Sequence, residues 1–148
     1  MFELLLVALL VAILSMMAVP LVTSVAQQLR LRGAAWQVAG DLRLARQRAV
    51  TLRTRMRVCL ASCAISVPSG TYSVEIDRGT PSSPNWASET GTIVKLPRDV
   101  NISASATATF ASTGMASGCT FTLTNAVGTF QIAVNPAGQV RVCRGSCS

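Results

Sequence analysis

FELLLVALLVAILSMMAVPLV, residues 2–22, decides the architecture of this chain. From Leu4 to Val22 the run is apolar apart from Ser15 and Pro20, and it carries no charge. As a helix it is long enough to cross a hydrocarbon layer of about 30 Å. Glu3 stands alone at its mouth, and a carboxylate there is costly in lipid without a partner. The free amino terminus of this chain or of a neighbour is the natural partner. The stretch predicts a membrane-anchored helix that also assembles. A secretory signal peptide is the weaker reading, because such peptides start basic and have an apolar core of about 7–15 residues. A plain single-pass anchor is the stronger rival. Eight arginines between Arg30 and Arg57 follow the run. Positive-inside bias alone would hold that side in the cytoplasm, so its export calls for a basic leader ahead of the run.

The helix continues past the membrane run. Leu31, Ala35, Val38, Leu42, Ala45 and Ala49 recur at steps of four and three, which paints one stripe along a helix. Gly33 and Gly40 weaken the segment locally, yet no stop signal precedes Val50. A helix from Glu3 to Val50 is roughly 70 Å long at 1.5 Å per residue. Pro20 removes a backbone donor and clashes one turn back, which predicts a kink or melt around Ser15–Ala18.

After Val50 the period changes from helical to two. Leu52, Thr54, Met56, Val58 and Leu60 alternate with Arg53, Arg55, Arg57 and Cys59, the pattern of a half-buried strand. Further short runs follow: Tyr72-Val74-Ile76, Ile93–Leu96, Phe121-Leu123, Phe130-Ile132-Val134 and Val140-Val142. Asn135-Pro136-Ala137-Gly138 joins the last two as a hairpin. Residues 79–91, with Pro81 and Pro84, read as a surface loop, and residues 101–118 as a weak edge strand or a mobile loop. The predicted fold class is α+β, a long amino-terminal helix packed on an antiparallel β-sheet head. Residues 1–24 form the membrane and assembly half of the helix, 25–51 its amphipathic half, and 52–148 the head.

The chain is 50% hydrophobic and 13% charged, a balance skewed by residues 2–22. The head has few large apolar residues, so covalent staples would help it. Cys59, Cys63, Cys119, Cys143 and Cys147 all lie in the β-rich part, as expected of a domain in an oxidising compartment. Cys59 and Cys63, and likewise Cys143 and Cys147, are each spaced to close a short loop. Alternatively the strands bearing Cys59 and Cys143 are neighbours and cross-linked, and spacing leaves both connectivities open. Two close cysteine pairs also resemble a zinc ribbon, but the longer spacing and the expected compartment favour oxidation. No metal or cofactor is expected. Cys119 is the odd thiol, either buried and inert or a cross-link between subunits.

Phe2-Glu3-Leu4-Leu5, followed by an apolar helix with Pro20, resembles the mature amino terminus of a type IV pilin or type II secretion pseudopilin. In that family a peptidase cuts before a phenylalanine that is usually N-methylated, and the glutamate comes fifth. Here it is third, while the Glu3–Pro20 separation matches the family's, so the resemblance implies about two residues ahead of Met1. Phe2, Glu3 and Pro20 are then the assembly residues. Arg43 to Val50, Met56-Arg57-Val58-Cys59 and Gly138-Gln139-Val140-Arg141-Val142-Cys143 resemble the H-type minor pseudopilins and FimT-type minor pilins. Many members have arginine where Gln139 stands.

The resemblance implies a subunit that waits in the inner membrane with its head in the periplasm. From there it joins copies of itself or other pilin-like subunits in a helical filament, through an inner-membrane assembly platform. It also raises a second reading, a minor pilin that receives DNA in natural transformation through its basic carboxy-terminal hairpin. Net charge is +7, with twelve arginines and one lysine. Arg141 and Arg144, with Arg57 and Arg55, are the candidate phosphate contacts. Such binding is sequence-independent and salt-sensitive. An enzyme is not expected. Histidine is absent, which removes the commonest general base, and Glu75, Asp77, Glu89 and Asp99 read as scattered surface acids. No nucleophile, base and oxyanion donors assemble from what remains.

Overall fold

The computed structural model describes residues 2–61, 63–80 and 82–147; within it the side chains at positions 5, 14–22 and 90–92 lie outside the description, and Pro20 falls among them. Helix α1 runs unbroken over Phe2–Thr51, about 75 Å at 1.5 Å per residue. The melt predicted around Ser15–Ala18 does not occur, since the backbone there is helical. A proline removes one donor, and the turns on either side keep theirs.

The helix stops through a backbone motif. Leu52 N donates to Arg48 O (2.8 Å), Arg53 N to Val50 O (3.3 Å) and Thr54 N to Ala49 O (3.1 Å). The last two are the nested bonds of a left-handed helix stop, whose pivot is usually glycine. Here the pivot is Arg53, at φ 51°. The alternation that begins at Leu52 is therefore partly turn, and the strand starts only at Met56.

Among the described residues eight strands follow: β1 (Met56–Cys59), β2 (Thr71–Asp77), β3 (Trp86–Lys95), β4 (Asn101–Ala104), β5 (Ala108–Phe110), β6 (Cys119–Asn125), β7 (Gly128–Val134) and β8 (Val140–Arg144). They form two four-stranded sheets, ordered β3-β2-β1-β5 and β4-β6-β7-β8. Every pairing is antiparallel. The outer half of α1 packs against strands of both sheets. The expected stripe is the buried one: Leu31, Ala35, Val38, Leu42, Ala45 and Ala49, joined by Ala34 and Ala39. Its small residues let the backbone approach Met56, Val58, Tyr72, Phe110, Phe121, Leu123 and Ile132, all fully buried in the same core. Burying Leu31 or Leu42 alone contributes about 2 kcal/mol.

Two expectations need correction, while the edge reading of residues 101–118 holds in place of the mobile loop. Residues 79–91 are a loop only to Asn85, because Trp86–Lys95 is one long strand paired with β2. Its polar first half, Trp86-Ala87-Ser88-Glu89, hides the period. Residues 101–118 contain two strands, β4 and β5, and each is the edge of a different sheet. Edge strands need little apolar content, which explains the weak signal. On β2, Tyr72 is buried as expected, yet the opposite set of Thr71, Ser73, Glu75 and Asp77 is buried too, while Val74 and Ile76 are only partly covered. Polar side chains on that second face are retained because each acid has its own partners.

Candidate assembly surface

α1 has two surfaces. Phe2 is 90% exposed and Leu4 76%, and Leu6, Leu9 and Ile13 continue the exposed apolar rod. Glu3 is exposed beside Phe2 at its start. Farther along, where the head covers one side, the uncovered side carries Val25, Leu29, Gly33, Trp36, Gly40 and Leu44, all exposed. At 100° per residue these fall opposite the buried Leu31, Val38 and Leu42. Trp36 is half exposed, with the Arg43 guanidinium 6.0 Å from its ring centre. A side chain added at Gly33 or Gly40 would meet nothing within 4 Å. The apolar face thus outruns residues 2–22 by about six turns. Among the described residues no helix is long and apolar enough to cross a membrane. The crossing expected of Leu4–Val22 includes positions 14–22, outside the described side chains.

The head is pinned to this helix along its length. Asn125 Nδ2, at the β6–β7 turn, donates to Gln27 O (3.0 Å). Tyr72, whose hydroxyl donates to Asp41, fixes the middle. Desolvation, then the hydrogen bond and charge of Asp41, push the Tyr72 hydroxyl far above its ordinary value. Arg48 pairs with Glu89 at 2.7 Å. Between Asp41 and Arg48, Arg43 Nη2 donates to Val140 O (3.3 Å). Arg46 donates to Gly114 O (3.0 Å) and Ala137 O (3.1 Å), clamping the β7–β8 hairpin to the β5–β6 loop. The hairpin forms as expected, and Gly138 supplies its left-handed position at φ 77°. A Cβ on Gly138 would stand 2.1 Å from Gly114 O. Two of the three segments that resemble the H-type family, Arg43–Val50 and Gly138–Cys143, therefore meet in space. Sequence reasoning had no role for Arg43 or Arg46, although both flank the buried stripe at helical spacing.

The second face of the first sheet holds an ionic cluster. Glu75 is fully buried and accepts from Arg57 Nε (2.6 Å) and Ala64 N (2.6 Å). Asp77 accepts from Arg55 Nε (2.9 Å), Gly79 N (2.9 Å) and Asn85 N (2.9 Å). Desolvation pushes the Asp77 carboxyl up, but the amides of Gly79 and Asn85 and then Arg55 outweigh it and hold it below the ordinary carboxylate range. Trp86 roofs the cluster, 4.3 Å from the Arg57 guanidinium and 5.9 Å from that of Arg55. These acids are neither scattered nor solvated.

The four arginines considered for phosphate contact lie on strands or turns of two different sheets. Arg55 and Arg57 are held by acids on the first sheet, while Arg141 and Arg144 are exposed on β8, an edge of the second. The cysteines close two short loops, Cys59–Cys63 and Cys143–Cys147. Cys59, Cys63 and Glu75 bring three potential metal-ligand atoms within 4.8 Å of one another. The two sulfurs are joined, however, and the carboxylate is taken by Arg57 and Ala64. Cys119 is buried, and burial pushes its thiol up to about 11, which keeps thiolate scarce at neutral pH.

A family model described as Type II transport protein GspH matches residues 34–138, more than half of the chain. This chain belongs to the GspH family. The match runs from Ala34 on α1 through β1–β7 and ends at Gly138 in the hairpin, before β8. No curated protein sequence matches. Among solved structures, the solution structure of Escherichia coli GspH is similar at 12% identity and a TM-score of 0.62, over 81% of this chain and 91% of that one. The minor pseudopilin EpsH from the type 2 secretion system of Vibrio cholerae is similar at 12% identity and 0.61, over 78% and 97%. The type IV minor pilin FimU of Pseudomonas aeruginosa is similar at 16% identity and 0.56, over 78% and 89%. At such identities the likeness carries the fold, a pilin-like helix on an antiparallel β head.

Proposed function

We propose that this GspH-family chain is a structural, non-catalytic subunit of a type II secretion pseudopilus or type IV pilus. Leu4–Val22 holds it in the inner membrane with its head in the periplasm. An assembly platform then passes it into a helical filament of itself or other pilin-like subunits. The observation that carries this reading is the exposed apolar face of α1, described from Phe2 to Ile13 and again from Val25 to Leu44, where the head covers the other side. A membrane anchor alone needs no apolar residues beyond the bilayer, whereas a helix packed among other helices does. Leaving lipid becomes favourable when neighbouring helices replace it, and a head-to-tail contact that does not close yields an open polymer. Glu3 neutralises the amino terminus of a neighbour where water is excluded and the attraction is strongest.

Glu3→Ala tests the role. Membrane insertion persists, because the substitution removes a charge from an apolar helix, and incorporation into sheared filaments is lost. Normal incorporation of the variant refutes the role of Glu3.

A further inference from the structure

We propose that the end of the head nearest the apolar run is a basic collar that seats on anionic lipid headgroups; this rests on the membrane-anchored reading above. The head already touches α1 at Gln27, whose carbonyl accepts from Asn125 Nδ2. Gln27 lies five residues past Val22, about 7.5 Å at 1.5 Å per residue. One headgroup layer is roughly 5–8 Å thick. The head therefore has no stalk, and its upper end reaches the headgroups whenever Leu4–Val22 fills the hydrocarbon.

That end is basic. Arg30 and Arg32 are exposed on the helix just below Gln27, and Lys95 and Arg98 are exposed about the β3–β4 turn. Lys95 and Arg98 share a groove with Asn101, which pairs with Thr124 beside the Gln27 contact. Arg144 is exposed opposite Phe130, next to the β6–β7 turn. Their charge is nearly unopposed. Of the six acidic residues, Glu75, Asp77 and Glu89 are paired with Arg57, Arg55 and Arg48, and Asp41 binds Tyr72. Glu3 lies at the far end of the run. Only Asp99 stands among the collar, 3.9 Å from an Arg30 that stays well exposed. Val127, exposed at the tip of the β6–β7 turn, gives the collar an apolar tooth. Charge and level together point to an anionic membrane surface.

Each basic side chain held near such a surface shifts the seated-to-free ratio about fivefold, so losing two shifts it about twenty-five-fold. The test uses the full chain with a fluorophore on Val127→Cys, reconstituted in phosphatidylcholine vesicles with and without one-quarter phosphatidylglycerol, and a headgroup-attached quencher. Quenching should rise severalfold with phosphatidylglycerol, fall away in high salt, and be lost in an Arg98→Ala/Arg144→Ala variant. Equal quenching in both vesicles, with the chain retained through a carbonate wash, overturns the collar alone. Release by carbonate overturns the anchored reading and the collar with it. Duplex DNA binding that requires Arg98 and Arg144, without dependence on lipid charge, assigns them to nucleic acid and overturns the collar as well.

Discussion

Arg57→Ala should destabilise the head more than any other single arginine truncation. Glu75 has no exposed side-chain surface and Arg57 only 16%, so this pair is shielded from solvent screening. Truncating Arg57 leaves the carboxylate with the Ala64 amide and the long, 3.5 Å contact of Ser73 Oγ. Breaking a buried pair from one side costs about 3–5 kcal/mol. The lost stacking on Trp86 adds about 0.5–1 kcal/mol. That is a large part of the ~5–15 kcal/mol that holds a domain of this size. A Glu75→Gln/Arg57→Met double variant removes both charges and should recover most of the loss, since no unpaired charge remains. Urea unfolding of the full chain in detergent, followed by tryptophan fluorescence, reads the effect, because Trp86 lies against Arg57. A loss below about 1 kcal/mol for Arg57→Ala, typical of exposed pairs, refutes the claim that this cluster is a structural part of the head.

Other outcomes follow from the same geometry. Arg53→Gly should stabilise the chain by about 1 kcal/mol, read as a higher urea midpoint, because glycine relieves the left-handed strain at φ 51°. Gly138→Ala should do the reverse by about 2–4 kcal/mol, as strain and the collision with Gly114 O add. Acid unfolding should depend on Asp77. Its folded carboxyl sits below the ordinary range, so its contribution is complete above about pH 4 and is lost as pH falls through the lowered folded value. Asp77→Asn should flatten that limb of the pH–stability curve.

Much of the helix was legible in sequence, because a 3.6-residue stripe and an apolar run are strong local signals. Leu31, Val38 and Leu42 are buried as their spacing requires. The β7–β8 hairpin was legible from Asn135–Gly138. The second buried face of β2 was not, because Glu75 and Asp77 are buried by partners distant in sequence, and no local pattern encodes Arg57 beside Trp86. The start of β3 was hidden in the same way, its pairing with β2 owing nothing to alternation. Where the helix stops was obscured by an arginine at a position that usually favours glycine. No local signal assigns the arginines of α1 a partner, and Arg43 and Arg46 are donors to the hairpin and its neighbouring loop.

In a filament, α1 would meet other helices along the face opposite the head. A photo-crosslinking residue placed at Leu29 or Trp36, followed by shearing and mass spectrometry of surface filaments, tests it most directly. Cross-links should form to the amino-terminal helix of a neighbouring pilin-like subunit. Cross-links confined to membrane lipid or to unrelated membrane proteins, with none in filament material, contradict that packing.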